Sequence, residues 1–180
     1  MKLTEWDQRY RSCQEAAFDT AVPLVVEIAS KLTPGRALDV ACGAGRNAIY
    51  LARLGWQVRA VDGSAAALDL LRSRAGALPI EAELLDLQRE KLAIETGACD
   101  LIVDSYYLQR DLFPALKRGL CTGGVLIAVV HTGEPATPRL ASAGELRSWF
   151  EGWEILHYYE GEPSEACHKH PVAEIAARKL

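Results

Sequence analysis

Positions 38 to 47 read Leu38-Asp39-Val40-Ala41-Cys42-Gly43-Ala44-Gly45-Arg46-Asn47, and 19 residues after Gly43 stands Asp62. Two glycines one residue apart let a backbone turn tightly and let a bound molecule come close to it. A helix opening after Gly45 offers unpaired N–H groups and a partial positive charge. An acid at the end of the next strand takes both hydroxyls of a ribose. The same residues have a plain structural use, with the glycines shaping a turn and Asp62 capping a helix that begins near Ser64. Asp39 falls within the preceding strand, where a buried carboxylate needs a cationic or hydrogen-bonding partner. An amino group suits it and a pyrophosphate would be repelled. That weighs against a dinucleotide site, although Gly43-x-Gly45-x-x-Ala48 satisfies the permissive form of that fingerprint. A side chain at Gly45 is expected to fill space that a ligand would occupy.

The elements that must position these residues read as short apolar runs alternating with helical periodicity, the pattern of a mostly parallel sheet covered on both faces. Strands are predicted at 36–41, 57–61, 80–85, 99–103, 125–131, 153–159 and 172–177. Ala48, Leu51, Ala52 and Gly55 recur at helical spacing. So do Ala67, Leu68, Leu71 and Ala75, in a helix capped by Ser64. Further helices are predicted at 109–118 and after Ser142-Ala143-Gly144-Glu145, which has capping-box spacing. Two more precede the sheet, one with Trp6, Tyr10 and Cys13 on a face and one over 23–32; they can lie over the ligand edge. Trp6 is expected to dock its helix by burying aromatic area, and Tyr10 to act as a lid. Polar loops are predicted at 131–142 and 161–170.

The chain of 180 residues is 49% apolar, enough for one sizeable core. Its 24 acidic residues outnumber 20 basic ones, which are scattered, so neither nucleic acid nor a membrane surface is an expected partner. The opening residues are charged and have no apolar run of a signal peptide. Five cysteines without regular spacing argue against a disulfide framework, and a cytoplasmic protein is expected.

The stretch from Ala37 to Leu68, with its Gly43-Ala44-Gly45-Arg46-Asn47 loop and Leu54-Gly55-Trp56 before the second strand, resembles class I S-adenosylmethionine-dependent methyltransferases. Together with Trp6-Asp7-x-Arg9-Tyr10 it is most similar to the tellurite-resistance methyltransferase branch. The resemblance implies a Rossmann-like α/β fold, a seven-stranded, mostly parallel sheet with an antiparallel last strand. It implies one methyltransferase domain over 1–180, with a helical cap at 1–34 and a core at 35–180. It places Asp39, Gly43 and Gly45 around the methionyl part of S-adenosylmethionine, with Ala41, Asn47 and Gly63 beside them on the same loops. Asp62 falls on the ribose, Asp86 on the adenine amino group, Leu87 on the adenine wall, and Asp104 at the edge of methyl transfer. Where relatives tend to carry Glu-Thr-Phe and a longer loop, this chain reads His131-Thr132-Gly133.

Methyl transfer from a sulfonium needs alignment and exclusion of water, and a base only if the acceptor must lose a proton. Tyr106, Tyr107 and Arg110, after the fourth strand, are candidate acceptor contacts; the plain alternative is that one tyrosine is core and Arg110 a solvated helix residue. His131, ending the fifth strand, is a candidate base or acceptor contact, or a satisfied loop histidine. Cys167-His168-Lys169-His170 fits no standard zinc spacing, so no metal is expected. The sequence therefore points to methyl transfer from S-adenosylmethionine, leaving S-adenosylhomocysteine, to a small-molecule or inorganic oxyanion acceptor, by a monomer or homodimer. A non-catalytic S-adenosylmethionine-binding protein and an NAD(P)-binding oxidoreductase are the alternatives.

Overall fold

The computed structural model describes residues 3–12, 20–165, 168 and 170–180. Its contacts divide the chain into two compact units, Met1–Ala93 and Ile94–Leu180. The first holds α1 (Leu3–Ser12), α2 (Pro23–Ala29), β1 (Arg36–Val40), α3 (Arg46–Arg53), β2 (Gln57–Asp62), α4 (Ala65–Ala75) and β3 (Ile80–Leu84). The second holds β4 (Cys99–Ser105), a 3-10 turn at Arg110–Leu112, α5 (Phe113–Gly119), β5 (Leu120–His131), α6 (Glu145–Ser148), β6 (Glu154–Gly161) and β7 (Val172–Arg178).

In the first unit the strands run parallel in the order β3-β2-β1, with Asp39 opposite Ala60 and Asp62 opposite Leu84. β1 buries four of its five residues, as a strand covered on both faces must. Ala48, Leu51 and Ala52 of the predicted stripe are buried along α3 with Ile49 beside them, while Gly55 beyond the helix is exposed. Ser64 caps α4 by accepting the Ala67 N–H at 3.2 Å, the ordinary role of a serine at a helix start. In the second unit β4 and β5 are parallel, while β7 runs antiparallel to both β5 and β6. These strands make up a seven-stranded, mostly parallel sheet of the expected class.

Four local departures have physical causes. β5 begins at Leu120, five residues before the predicted start, because its pairing shifts between Cys99 and Leu101 and carries the exposed Thr122 and Gly123 along the strand. The helix predicted at 109–118 opens as a 3-10 turn and becomes α-helical only at Phe113, since Pro114 is tolerated in a first turn and not further in. The capping box at Ser142 is half formed. Glu145 accepts the Ser142 N–H at 2.9 Å, but Gly144, left-handed at φ 73°, is the N-cap of a four-residue helix. Trp6 remains 38% exposed, against the expected docking by aromatic burial. Cys13 and Cys167 lie outside the described residues.

Trp56, just before β2, is 1% exposed and is the largest fully buried side chain of the first unit. Its truncation leaves a large cavity. Trp56→Ala is expected to lower the unfolding free energy by about 3–5 kcal/mol in urea titration. A loss below about 1 kcal/mol would contradict this packing.

Candidate functional site

In the first unit the turn after β1 is built from left-handed residues. Ala41 has φ 50°, and Gly43 and Gly45 have φ 56° and 79°. The angle at Ala41 is uncommon for a residue with a side chain. The Cys42 N–H reaches Val61 O at 3.0 Å, and the Gly45 N–H closes the turn on Cys42 O at 3.0 Å. Asp62 holds this turn, its Oδ2 accepting the Gly43 N–H at 2.8 Å while its Oδ1 accepts the Ser64 N–H at 2.8 Å. Burial raises the pKa of Asp62, opposed by the N–H groups of Ser64, Gly43 and Gly63. The plain structural use of Asp62 is thus realised. Each carboxylate oxygen has two acceptor positions, so capacity remains for a ribose hydroxyl beside these N–H groups.

Asp39 is 1% exposed, and its Oδ2 accepts the Ala48 N–H at 3.0 Å. Burial pushes its pKa up to about 7, despite the Ala48 N–H and the field of the Arg46 guanidinium, because a desolvated carboxylate disfavours its charged form. Asn47 is buried and turns away to the chain before α2, its Oδ1 accepting the Val22 N–H at 3.0 Å. Asp86 accepts the Gln88 N–H at 3.1 Å in the turn after β3, and Leu87 is buried beside it.

α1 lies over this edge of the unit. Asp7 Oδ1 accepts the Ser64 hydroxyl at 2.9 Å and the Ala66 N–H at 3.0 Å, a second cap on α4. The Ala66 N–H, then the Ser64 hydroxyl, hold its carboxyl below the usual range. A Cβ on Gly43 would overlap the Tyr10 hydroxyl, and one on Gly63 would come within 2.9 Å of Leu3. Burial, then the Asp62 charge, raise the pKa of Tyr10. Gly45 requires a correction: the space beside it is filled by Leu71 of α4, not left for a ligand.

Sequence reasoning missed Asp7, Arg46 and Arg74. Arg46 donates to Thr20 O at 3.4 Å, and Arg74 reaches Ala44 O in the glycine turn at 3.3 Å. Both line a cavity of about 500 Å³ with Tyr50 and Arg53. The local signals were the place of Arg46 within the glycine loop and of Asp7 within Trp6-Asp7-x-Arg9-Tyr10.

In the second unit Asp104 is fully buried near the end of β4. Tyr106 is left-handed at φ 63°, with its N–H on Val129 O at 2.6 Å. Its ring stacks on His168 with centroids 3.6 Å apart and lies 5.2 Å from His131. Its hydroxyl donates to Glu165 at 2.7 Å. Tyr107 instead donates to Gln109 at 2.6 Å. Arg110 is held by Glu145 at 2.6 and 3.0 Å, and by the carbonyls of Thr137 and Leu140. The bonds to Arg110 keep the Glu145 carboxyl below its usual range. Arg110 is therefore a clamp on the loop after β5, which revises its expected role as an acceptor contact.

Burial, then the charge of His170, lower the pKa of His131. Among the described residues its Nδ1 is buried without a hydrogen-bond partner. Glu165, His168 and His170 join Tyr106 and His131 here, a grouping that sequence spacing did not reveal. Among the described residues no group of three or more His, Cys, Asp or Glu is placed to hold a metal ion.

Seven mostly parallel strands, a glycine turn after β1 and an acid ending β2 define the Rossmann-like class in which S-adenosylmethionine-dependent methyltransferases are found. The family model of tellurite resistance protein TehB matches residues 16–170, and the chain belongs to that family. It is 28% identical over 149 residues to the probable S-adenosyl-L-methionine-dependent methyltransferase TehB of Haemophilus influenzae, covering 76% of this chain and 52% of that protein. The chain thus spans about half the length of the curated relatives it matches. The crystal structure of TehB from Haemophilus influenzae matches 98% of this chain and 67% of that one, with a TM-score of 0.77 and 22% identity. A Burkholderia thailandensis N1-methyltransferase with bound 1,6-didemethyltoxoflavin and S-adenosylhomocysteine matches 99% of this chain and 87% of that one, at TM-score 0.72 and 15% identity.

The filled space at Gly45 makes a direct test. A methyl group placed there meets Leu71. Gly45→Ala should therefore destabilise the ligand-free protein by more than the roughly 1–2 kcal/mol of a left-handed alanine. In a Leu71→Ala background the further loss should shrink to the backbone part. Equal losses in both backgrounds, measured by urea unfolding, would contradict the contact.

Proposed function

We propose that this chain binds S-adenosylmethionine on the first unit and passes its methyl group to a small acceptor. The observation that carries the reading is the Asp62 carboxylate. It is fixed by Gly43 and Ser64 at the end of β2, with acceptor capacity left for a ribose hydroxyl. The residues fit the cofactor. Asp39, poised near neutrality in a buried position, would meet the methionyl amino group, and Arg46 beside it would meet the carboxylate. Asp86 and Leu87 would hold adenine, and Tyr10 would cover the turn. A pyrophosphate is a poor match for the paired acids Asp39 and Asp62, which supports this reading over a dinucleotide.

When bound, the cofactor supplies a methyl carbon on a sulfonium. The protein's part is to hold donor and acceptor in line and to keep water out. Asp104 would stand at the edge of that transfer. His131, kept neutral by burial, would take a proton where the acceptor has one to lose.

Asp62→Ala should weaken S-adenosylhomocysteine binding about tenfold or more, since each bond to a charged group is worth ~1.5–3 kcal/mol. Asp39 adds a proton signature. Its pKa of about 7 leaves it partly protonated in the free protein, and an adjacent ammonium would draw that pKa down. Binding near neutral pH should therefore release a proton, read by calorimetry in buffers of different ionisation enthalpy, and Asp39→Asn should abolish the release. Unchanged affinity in Asp62→Ala, or tighter binding of NAD(H), would overturn the assignment.

A further inference from the structure

Four rings gather at the carboxyl ends of β4 and β5. Tyr106 and His168 are stacked at 3.6 Å and 10°, His131 lies 5.2 Å from Tyr106 and 5.1 Å from His168, and His170 lies 5.8 Å from His131. The Tyr106 ring is brought there by a left-handed backbone, a conformation that a bulky residue keeps only where its surroundings impose it. Carboxylates stand beside the rings, together with the charge of His170. The Glu165 carboxylate is 2.7 Å from the Tyr106 hydroxyl and 3.9 Å from His168 Nε2. On β7 the buried Glu174, within the electrostatic reach of Glu165, faces His157 at 3.7 Å. The guanidinium that follows β4, Arg110, is engaged on both sides by Glu145. An oxyanion entering here would meet the Glu165 carboxylate at the edge of the stack as well as the charge of His170, whereas a flat uncharged ring would extend the stack.

We propose, on the function just assigned, that the acceptor is an uncharged planar aromatic bearing an O–H or N–H, which stacks on the Tyr106–His168 cluster and gives its proton to His131. Nδ1 of His131, buried and without a hydrogen-bond partner among the described residues, is the group that meets that O–H or N–H. The acceptor's bond to hydrogen breaks, the proton goes to Nδ1, and the pair left on oxygen or nitrogen forms the new bond to the methyl carbon. The bond from that carbon to sulfur breaks with its pair on sulfur, leaving a neutral thioether. His131 then returns the proton to water.

The test pairs two probes of one shape, 2-naphthol and 2-naphthalenesulfonate, titrated by fluorescence with S-adenosylhomocysteine present. Naphthol should bind about tenfold more tightly or better, and Glu165→Gln should narrow the gap by admitting the sulfonate. His131→Ala should leave S-adenosylhomocysteine binding within about twofold, weaken naphthol binding by roughly 2–10-fold through the lost hydrogen bond, and lower methyl transfer to phenols and N–H heterocycles by roughly 10²–10⁴-fold. Equal or tighter binding of the sulfonate, or turnover of selenite and tellurite with none of the aromatics, would overturn the inference while S-adenosylhomocysteine binding leaves the cofactor reading standing. Failure to bind S-adenosylhomocysteine would overturn both.

Discussion

The Asp62 carboxylate is the interaction on which the turns at the strand ends of the first unit depend. Its two oxygens accept the Gly43 and Ser64 N–H groups at 2.8 Å each, and so fix the turn after β1 against the turn after β2. From Ser64 the hydrogen bonds continue to Asp7, which also takes the Ala66 N–H and ties α1 to the start of α4. One half-buried carboxylate thus orders the glycine turn, a helix start and the covering helix. Leaving two such donors unmade would cost about 1–3 kcal/mol each. The same anion is the group proposed to read the ribose, so the cradle and its recognition element are one object.

The second unit solves a different problem. The loop after β5 is polar and broken by Gly133, Pro135 and Pro138, and has little apolar surface to hold it in place. Arg110 supplies the hold, reaching two of its carbonyls while Glu145 fixes the guanidinium and ties Ser142 to the start of α6. Bidentate guanidinium-carboxylate geometry gives this clamp a direction as well as strength. Tyr106 is strained and His131 is partly desolvated beside it. Both features recur at functional sites and support the acceptor site proposed above.

Strand positions and the Ser64 cap were legible because period and cap chemistry are local signals. So was the pairing of the glycine turn with Asp62, whose separation is set by one strand-helix-strand unit. What was hidden rests on contacts between distant residues. Asp7 meets Ser64 across 57 positions, and Tyr106 meets Glu165 across 59, and no local pattern announces either. Arg110 has the residue type of an anion reader, and only the position of Glu145 shows that its charge is already engaged. Gly45 carried a true signal for a special backbone angle and a misleading one for ligand space, since the side chain it admits is Leu71.

The central claim is that Asp62 orders the turn and reads the ribose at the same time. A crystal structure of the protein with S-adenosylhomocysteine tests it most directly. The account predicts a ribose hydroxyl within hydrogen-bond distance of the Asp62 carboxylate, with the Gly43 and Ser64 N–H bonds retained. A ribose bound elsewhere, or an Asp62 that must release Gly43 to reach it, would contradict the account.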